Sequence, residues 1–176
     1  RSWNNRFSRT ALDGWEVSGI GSFLSGPPTA INYSFVTATD ITGAAGAGID
    51  SRVNLTCNPN LANSDRTFYR AFDTSCVHPP TLAGLGIGNA SKYPFVGPGM
   101  ENVDLSLFKN FQIGSTEQRR LQLRLEAYNG LNHTQFTTVD NNARFAATGA
   151  QVNAEFGQYI GSGPSRRVVI GLKFYF

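Results

Sequence analysis

The chain has 176 residues, 15 of them basic and 12 acidic, for a net charge of +3. Charged residues make up only 15% and phenylalanine alone contributes 13 positions, a balance foreign to disordered chains, while 19 glycines and 8 prolines without a three-residue period exclude collagen. No run approaches the roughly 18 apolar residues of a membrane-spanning helix, and arginines stand singly apart from Arg119-Arg120 and Arg166-Arg167, so no nucleic-acid partner is expected.

In chain order, residues 1–10 carry three arginines and read as the tail of an earlier strand. The opening on Arg1 and a lone methionine, Met100, suggest a processed or cut start. Trp15, Val17, Gly19, Gly21 and Phe23 alternate with Glu16, Ser18, Ile20 and Ser22, a strand by its period of two. A turn at Ser25-Gly26-Pro27-Pro28 then predicts a partner strand over about 30–38.

From about 40 to 100 the alternation weakens into one long loop, flexible at its Gly43–Gly48 run, with short strands expected at 52–55 and 67–72. Two cysteines, Cys57 and Cys76, lie 19 positions apart in this polar stretch. A loop-stapling disulfide in an oxidising compartment is the expectation, and two unrelated free thiols are the alternative.

Alternation returns in residues 103–113, where Val103, Leu105, Leu107, Phe111 and Ile113 share a parity with Lys109. A short polar turn at Gly114-Ser115-Thr116-Glu117 leads into residues 119–129, with Leu121, Leu123, Leu125 and Ala127 on one face and Gln122, Arg124, Glu126 and Tyr128 on the other. The two runs predict an antiparallel hairpin. A second long loop follows over about 132–155. The strand at 166–176, RRVVIGLKFYF, then sets Val168, Ile170, Leu172, Phe174 and Phe176 against Arg167, Val169, Gly171, Lys173 and Tyr175.

Period two fits both a soluble sandwich and a membrane barrel. Three details favour the barrel. Arg124, Glu126 and Lys173 sit mid-strand on one parity, as charges lining and pairing within a polar lumen would. Trp15, Tyr128, Phe174, Tyr175 and Phe176 cluster at strand ends, where interfacial aromatics lie. The final strand ends on phenylalanine, so Phe174, Tyr175 and Phe176 are expected to form the signal read by the barrel-assembly machinery, and the strand to close the barrel. Long loops at one end and short turns at the other fit the same architecture.

These residues also carry a family resemblance. Gly97-Pro98-Gly99 followed by NVDLSLFKNF at 102–111, and LQLRLEAYNGLNHTQF at 121–136, resemble segments of Oar-like TonB-dependent outer-membrane receptors, a type that also contains a carboxypeptidase-regulatory-like domain. Gly14-Trp15, Ser25-Gly26-Pro27 and Phe156-Gly157-Gln158 fit the same template in order. Gly130 departs from it where a bulky apolar residue is usual, and Thr134 where proline is frequent.

The resemblance implies an all-β fold: antiparallel transmembrane β-barrel strands, the C-terminal part of a 22-stranded barrel with long extracellular loops. All 176 residues would belong to that one segment, with five to seven strands. It implies a bacterial outer-membrane receptor that takes up a scarce nutrient with TonB, and partners comprising outer-membrane lipid, the rest of the barrel and its plug, the assembly machinery, the TonB system indirectly, and a small-molecule, glycan or peptide ligand. A small self-contained barrel acting as anchor or adhesin, and a soluble β-sandwich binding module, are the alternatives.

No catalytic, metal or cofactor site is expected. The histidines are His78 and His133, and Cys76 with His78 makes an incomplete zinc set. Asp104 and Glu126 share a face and are either an acid–base pair or, as favoured, counter-charges to Arg124. Tyr69, Phe72, Tyr93 and Phe95 either form a ligand surface or, as favoured, pack the long loop on itself.

Overall fold

A computed structural model describes residues 10–36, 52–80, 87–114 and 119–176. The reading of 1–10 as an earlier strand, the glycine run at 43–48 and positions 115–117 of the expected turn lie wholly or almost wholly outside the described residues. The strands in chain order are β1 (Trp15–Leu24), β2 (Pro28–Thr29), β3 (Asn32–Phe35), β4 (Asn54–Leu55), β5 (Val77–His78), β6 (Phe95–Val96), β7 (Met100–Gln112), β8 (Arg120–Tyr128), β9 (Phe136–Val139), β10 (Asn142–Phe145), β11 (Tyr159–Ser162) and β12 (Arg167–Tyr175).

The chain divides into two compact units. A sheet unit comprises Arg1–Phe23, Glu101–Gln135 and Pro164–Phe176, and a second unit comprises Leu24–Met100 and Phe136–Gly163.

The sheet unit is built on four long strands in the order β1-β7-β8-β12. The expected hairpin forms as β7 against β8, with Leu107 opposite Leu125 and Phe111 opposite Leu121. β12 pairs antiparallel with β8 without a break, from Arg167 opposite Tyr128 to Tyr175 opposite Arg120. Among the described residues, β1 does not pair with the expected partner segment, of which 30–36 are described. Its partner is β7: the Asn110 amide donates to the Gly14 carbonyl at 2.8 Å, and a Cβ on Gly19 would meet Leu105 Cδ2 at 3.3 Å, so the strands run antiparallel. Pro27 and Pro28 supply no ladder donors, and a Cβ on Gly26 would fall 1.9 Å from the Gly97 carbonyl oxygen, so after Leu24 the chain crosses another backbone segment instead of turning back.

Register gives this sheet two chemically distinct faces. On one, Leu121, Leu123, Leu125 and Ala127 lie beside Phe174, Leu172, Ile170 and Val168. Most of these side chains are exposed, Ile170 at 73% and Leu172 at 68%, as are Val17 at 75% and Phe23 at 70% on β1, while Leu121 and Ala127 are half-buried. A continuous apolar band this open calls for a non-aqueous neighbour. Both long connections, β1 to β7 and β8 to β12, leave from the same end of the sheet, opposite the short β7–β8 turn.

The second unit has a core of its own: Ile31, Val53, Phe72, Val77, Phe95, Ala143, Phe145, Phe156 and Tyr159 are all buried. Short ladders surround it. β3 pairs in parallel with β10, β2 with β6, β4 with β5, and β9 with β11. Expected strands at 52–55 and 67–72 reduce to β4 and to a tight turn closed by reciprocal Thr67 and Arg70 backbone bonds of 3.0 Å. Asparagine amides substitute for missing ladder partners: Asn60 Oδ1 accepts from Val96 N at 3.0 Å, and Asn89 Oδ1 from Leu55 N at 2.7 Å.

Candidate functional site

Arg124, Glu126 and Lys173, separated in sequence, share the polar face of the four-stranded sheet: Arg124 lies opposite Gly171, Glu126 opposite Val169 and Lys173 opposite Gln122. The expected charge pairing does not form there. Arg124 Nε donates to Gln122 Oε1 at 2.7 Å, its Nη2 donates to the Tyr175 hydroxyl oxygen at 3.3 Å, and its guanidinium covers Phe108 at 5.2 Å. Glu126 instead accepts from the Tyr128 hydroxyl at 3.4 Å.

Gln122 is the hub of this face. It is 5% exposed, donates to Asn110 Oδ1 at 2.9 Å, and accepts from both Arg124 and the Tyr175 hydroxyl. Sequence parity placed Gln122 on this face but gave no sign of its centrality, because two of its three partners come from β7 and β12 and only register brings them together. The same holds for Arg120, whose guanidinium lies 4.4 Å from the Tyr175 ring, and for Lys173, 4.6 Å from the same ring.

Of the strand-end aromatics, Trp15 and Phe174 lie on the apolar face with the terminal Phe176, which is 96% exposed and stacks on Phe174 at 6.1 Å. Tyr128 and Tyr175 belong to the polar face, Tyr128 beneath Arg167 at 4.9 Å. Asp104 and Glu126 do not act as a carboxylate pair: Asp104 Oδ1 accepts from the Asn129 amide at 2.8 Å and from Asn102 Nδ2 at 2.9 Å, bracing the turn that follows β8. Gly130 sits in that turn, its amide donating to Val103 O at 2.7 Å.

In the second unit Cys57 and Cys76 form a disulfide with a Cα–Cα distance of 5.2 Å. Asp73 lies beside it, and the three side chains bring ligand atoms within 4.8 Å of one another. The donor set does not suit a metal, since both sulfurs are committed to the disulfide and offer no thiolate. The Asp73 carboxylate accepts from Ser75 Oγ at 2.8 Å and Ser75 N at 3.2 Å, and pairs with Arg70 at 3.2 Å. The Ser75 bonds foremost, and Arg70 beside them, hold the Asp73 carboxyl below the ordinary carboxylate range. His78 is exposed on β5, and His133 Nδ1 lies 3.0 Å from Gln135 Nε2 in the sheet unit.

Of the four loop aromatics, two pack the loop and two are exposed. Phe72 and Phe95 are core, their ring centroids 4.4 Å apart, whereas Tyr69 and Tyr93 are exposed at 72% and 53%. Tyr69 packs edge-on against Phe68 at 4.9 Å on the hydrogen-bonded 67–70 turn, and Phe68 in turn reaches Phe136 at 6.1 Å.

Residues 1–169 match the family model described as outer membrane beta barrel domain. No curated protein and no solved structure matches the chain.

Proposed function

Since the chain belongs to the outer membrane beta barrel domain family and its place is therefore the bacterial outer membrane, we propose that it forms barrel wall and external loops of a receptor that imports a scarce nutrient with TonB. The observation that carries this reading is the division of the sheet: an open apolar face suited to lipid, and a polar face in which Gln122, Arg124 and Tyr175 are already hydrogen-bonded to one another, suited to a lumen. The second unit, with its own core and disulfide, supplies a folded external surface rather than slack loops. In this reading Phe174, Tyr175 and Phe176 give the assembly machinery its handle, and the chain performs no catalysis.

Two measurements test it. With Ser106→Cys and Leu125→Cys in native outer membranes, a water-soluble maleimide should label the first, on the polar face, and spare the second. For uptake, a strain lacking the full-length protein should lose growth on one limiting nutrient from a panel of iron chelates, glycans and peptides, and a TonB-deficient strain should lose the same one. Growth unaffected by TonB would remove the energised-transport reading and leave a passive or anchoring barrel.

A further inference from the structure

Three cations converge on one ring of the polar face, and among the described residues no carboxylate is paired with them. Arg120 and Lys173 lie 4.4 and 4.6 Å from the centre of Tyr175, and Arg124 donates to its hydroxyl oxygen. The acidic groups of this face among the described residues are placed elsewhere: Glu126 and Asp104 are engaged toward the other end of the strands, with Tyr128 and Asn129. Glu16, on β1, has the whole of β7 between it and Arg124.

Beside the cluster the strand carries a glycine that the backbone does not require. Gly171 lies opposite Arg124 in the middle of β12, and a Cβ there would meet only Arg124 Cβ, at an ordinary 3.8 Å. Its φ lies outside the left-handed region, so neither conformation nor crowding in the sheet accounts for it. Glycine inside a strand weakens the strand and marks places where a ligand or another backbone comes close. Here the missing side chain opens a notch bordered by Arg124 and Lys173.

We propose that the Arg120–Arg124–Lys173 cluster over the Gly171 notch is an anion-receiving site for a carboxylate or phosphate group. Guanidinium and ammonium groups gathered beside an open strand position suit charge-assisted hydrogen bonds to such oxyanions. The anion arrives either as a mobile solute or as an acidic side chain of a polypeptide within the barrel. The inference rests on the reading of this face as lumen.

The test uses the full-length protein in native outer membranes, with maleimide labelling of Ser106→Cys run alongside. A water-soluble carbodiimide joins Lys173 to any carboxylate in direct contact, and peptide mapping identifies it. A crosslink that is lost in Gly171→Leu and reduced in Arg124→Gln supports an acidic side chain as the occupant. Without a crosslink, protection of Lys173 from acetylation by inorganic phosphate or citrate, weakened about tenfold in Arg120→Gln and Arg124→Gln, supports a mobile anion. Lys173 acetylation indifferent to both anions, with no crosslink and with Ser106→Cys labelled, overturns the site and leaves the lumen reading standing. Ser106→Cys unlabelled with Leu125→Cys labelled overturns both.

Discussion

Lys109 stands on the apolar face of the sheet with its ammonium 4.9 Å from the centre of the Trp15 ring. An ammonium on a predominantly apolar face is tolerated because it is hidden and satisfied. Lys109 is 3% exposed, donates to the carbonyls of Ala11, at 3.1 Å, and Asp13, and also lies 5.6 Å from Phe111. Trp15 Nε1 donates to the same Ala11 carbonyl at 2.8 Å, so the two side chains together pin the helical turn at 10–12 to the sheet.

Lys109→Met keeps most of the apolar stem and removes the donors, leaving the Ala11 and Asp13 carbonyls short of partners. The expected cost is about 1–3 kcal/mol, felt locally at the turn. Hydrogen exchange over residues 10–15 should accelerate and Trp15 fluorescence should shift, with the β7–β8 amides unchanged. Equal exchange in both proteins would mean that the turn is held by something other than Lys109.

The Asp73 carboxyl has its pKa lowered by Ser75 and Arg70. A carboxyl depressed in the folded state contributes stability that is present above the ordinary value near 4 and is lost as pH falls through the folded value. Unfolding of the second unit should therefore be easier at pH 2–3 than at pH 6 in the wild type, and Asp73→Asn should flatten part of that dependence. Identical acid profiles for wild type and Asp73→Asn would dismiss the carboxyl as a contributor.

The β7–β8 hairpin and the alternation of β1 and β12 were legible because that information is local, whereas the pairing of β1 with β7, about 85 positions on, was not. Leu121, Leu123 and Leu125 against Gln122, Arg124 and Glu126 announce a strand, and the short polar turn before them announces its partner. The parity of Arg124, Glu126 and Lys173 followed from the same period. The second unit was not legible, because its core residues are scattered singly: Ile31, Val53, Phe72, Phe95, Phe145 and Phe156 belong to no shared period. β3 finds its parallel partner β10 about 110 positions away through Asn32 opposite Asn142, a pairing that no local pattern encodes. The hub role of Gln122 stayed hidden for a related reason, since it depends on register with two other strands and not on the residue itself.

Removing the disulfide tests whether the second unit depends on it. In the chain-entropy account, closing the 19-residue separation between Cys57 and Cys76 restrains the unfolded chain by about 3 kcal/mol. Cys57→Ser with Cys76→Ser should lower the urea midpoint of this unit by that order and open proteolytic sites within 52–80. Reducing agent added to the wild type should reproduce the effect. A midpoint indifferent to reductant would place the burden of stability on the core alone.

That core yields the sharpest comparison between two residues of one loop. Phe72 is fully buried, 4.4 Å from Phe95 and 5.3 Å from Phe156, whereas Tyr69, three positions earlier, is 72% exposed. Truncating Phe72 leaves a cavity among rings drawn from segments far apart in sequence, so Phe72→Ala should cost about 3–5 kcal/mol. Tyr69→Ala gives up only an edge contact with Phe68 and should stay within about 0.5 kcal/mol. If the exposed Phe68–Tyr69 turn belongs to the external ligand surface, Tyr69→Ala should impair nutrient uptake while leaving stability and outer-membrane abundance intact; Phe72→Ala should lower abundance and uptake together. Parallel loss of abundance in both variants would assign Tyr69 a packing role and move the ligand surface elsewhere on the unit.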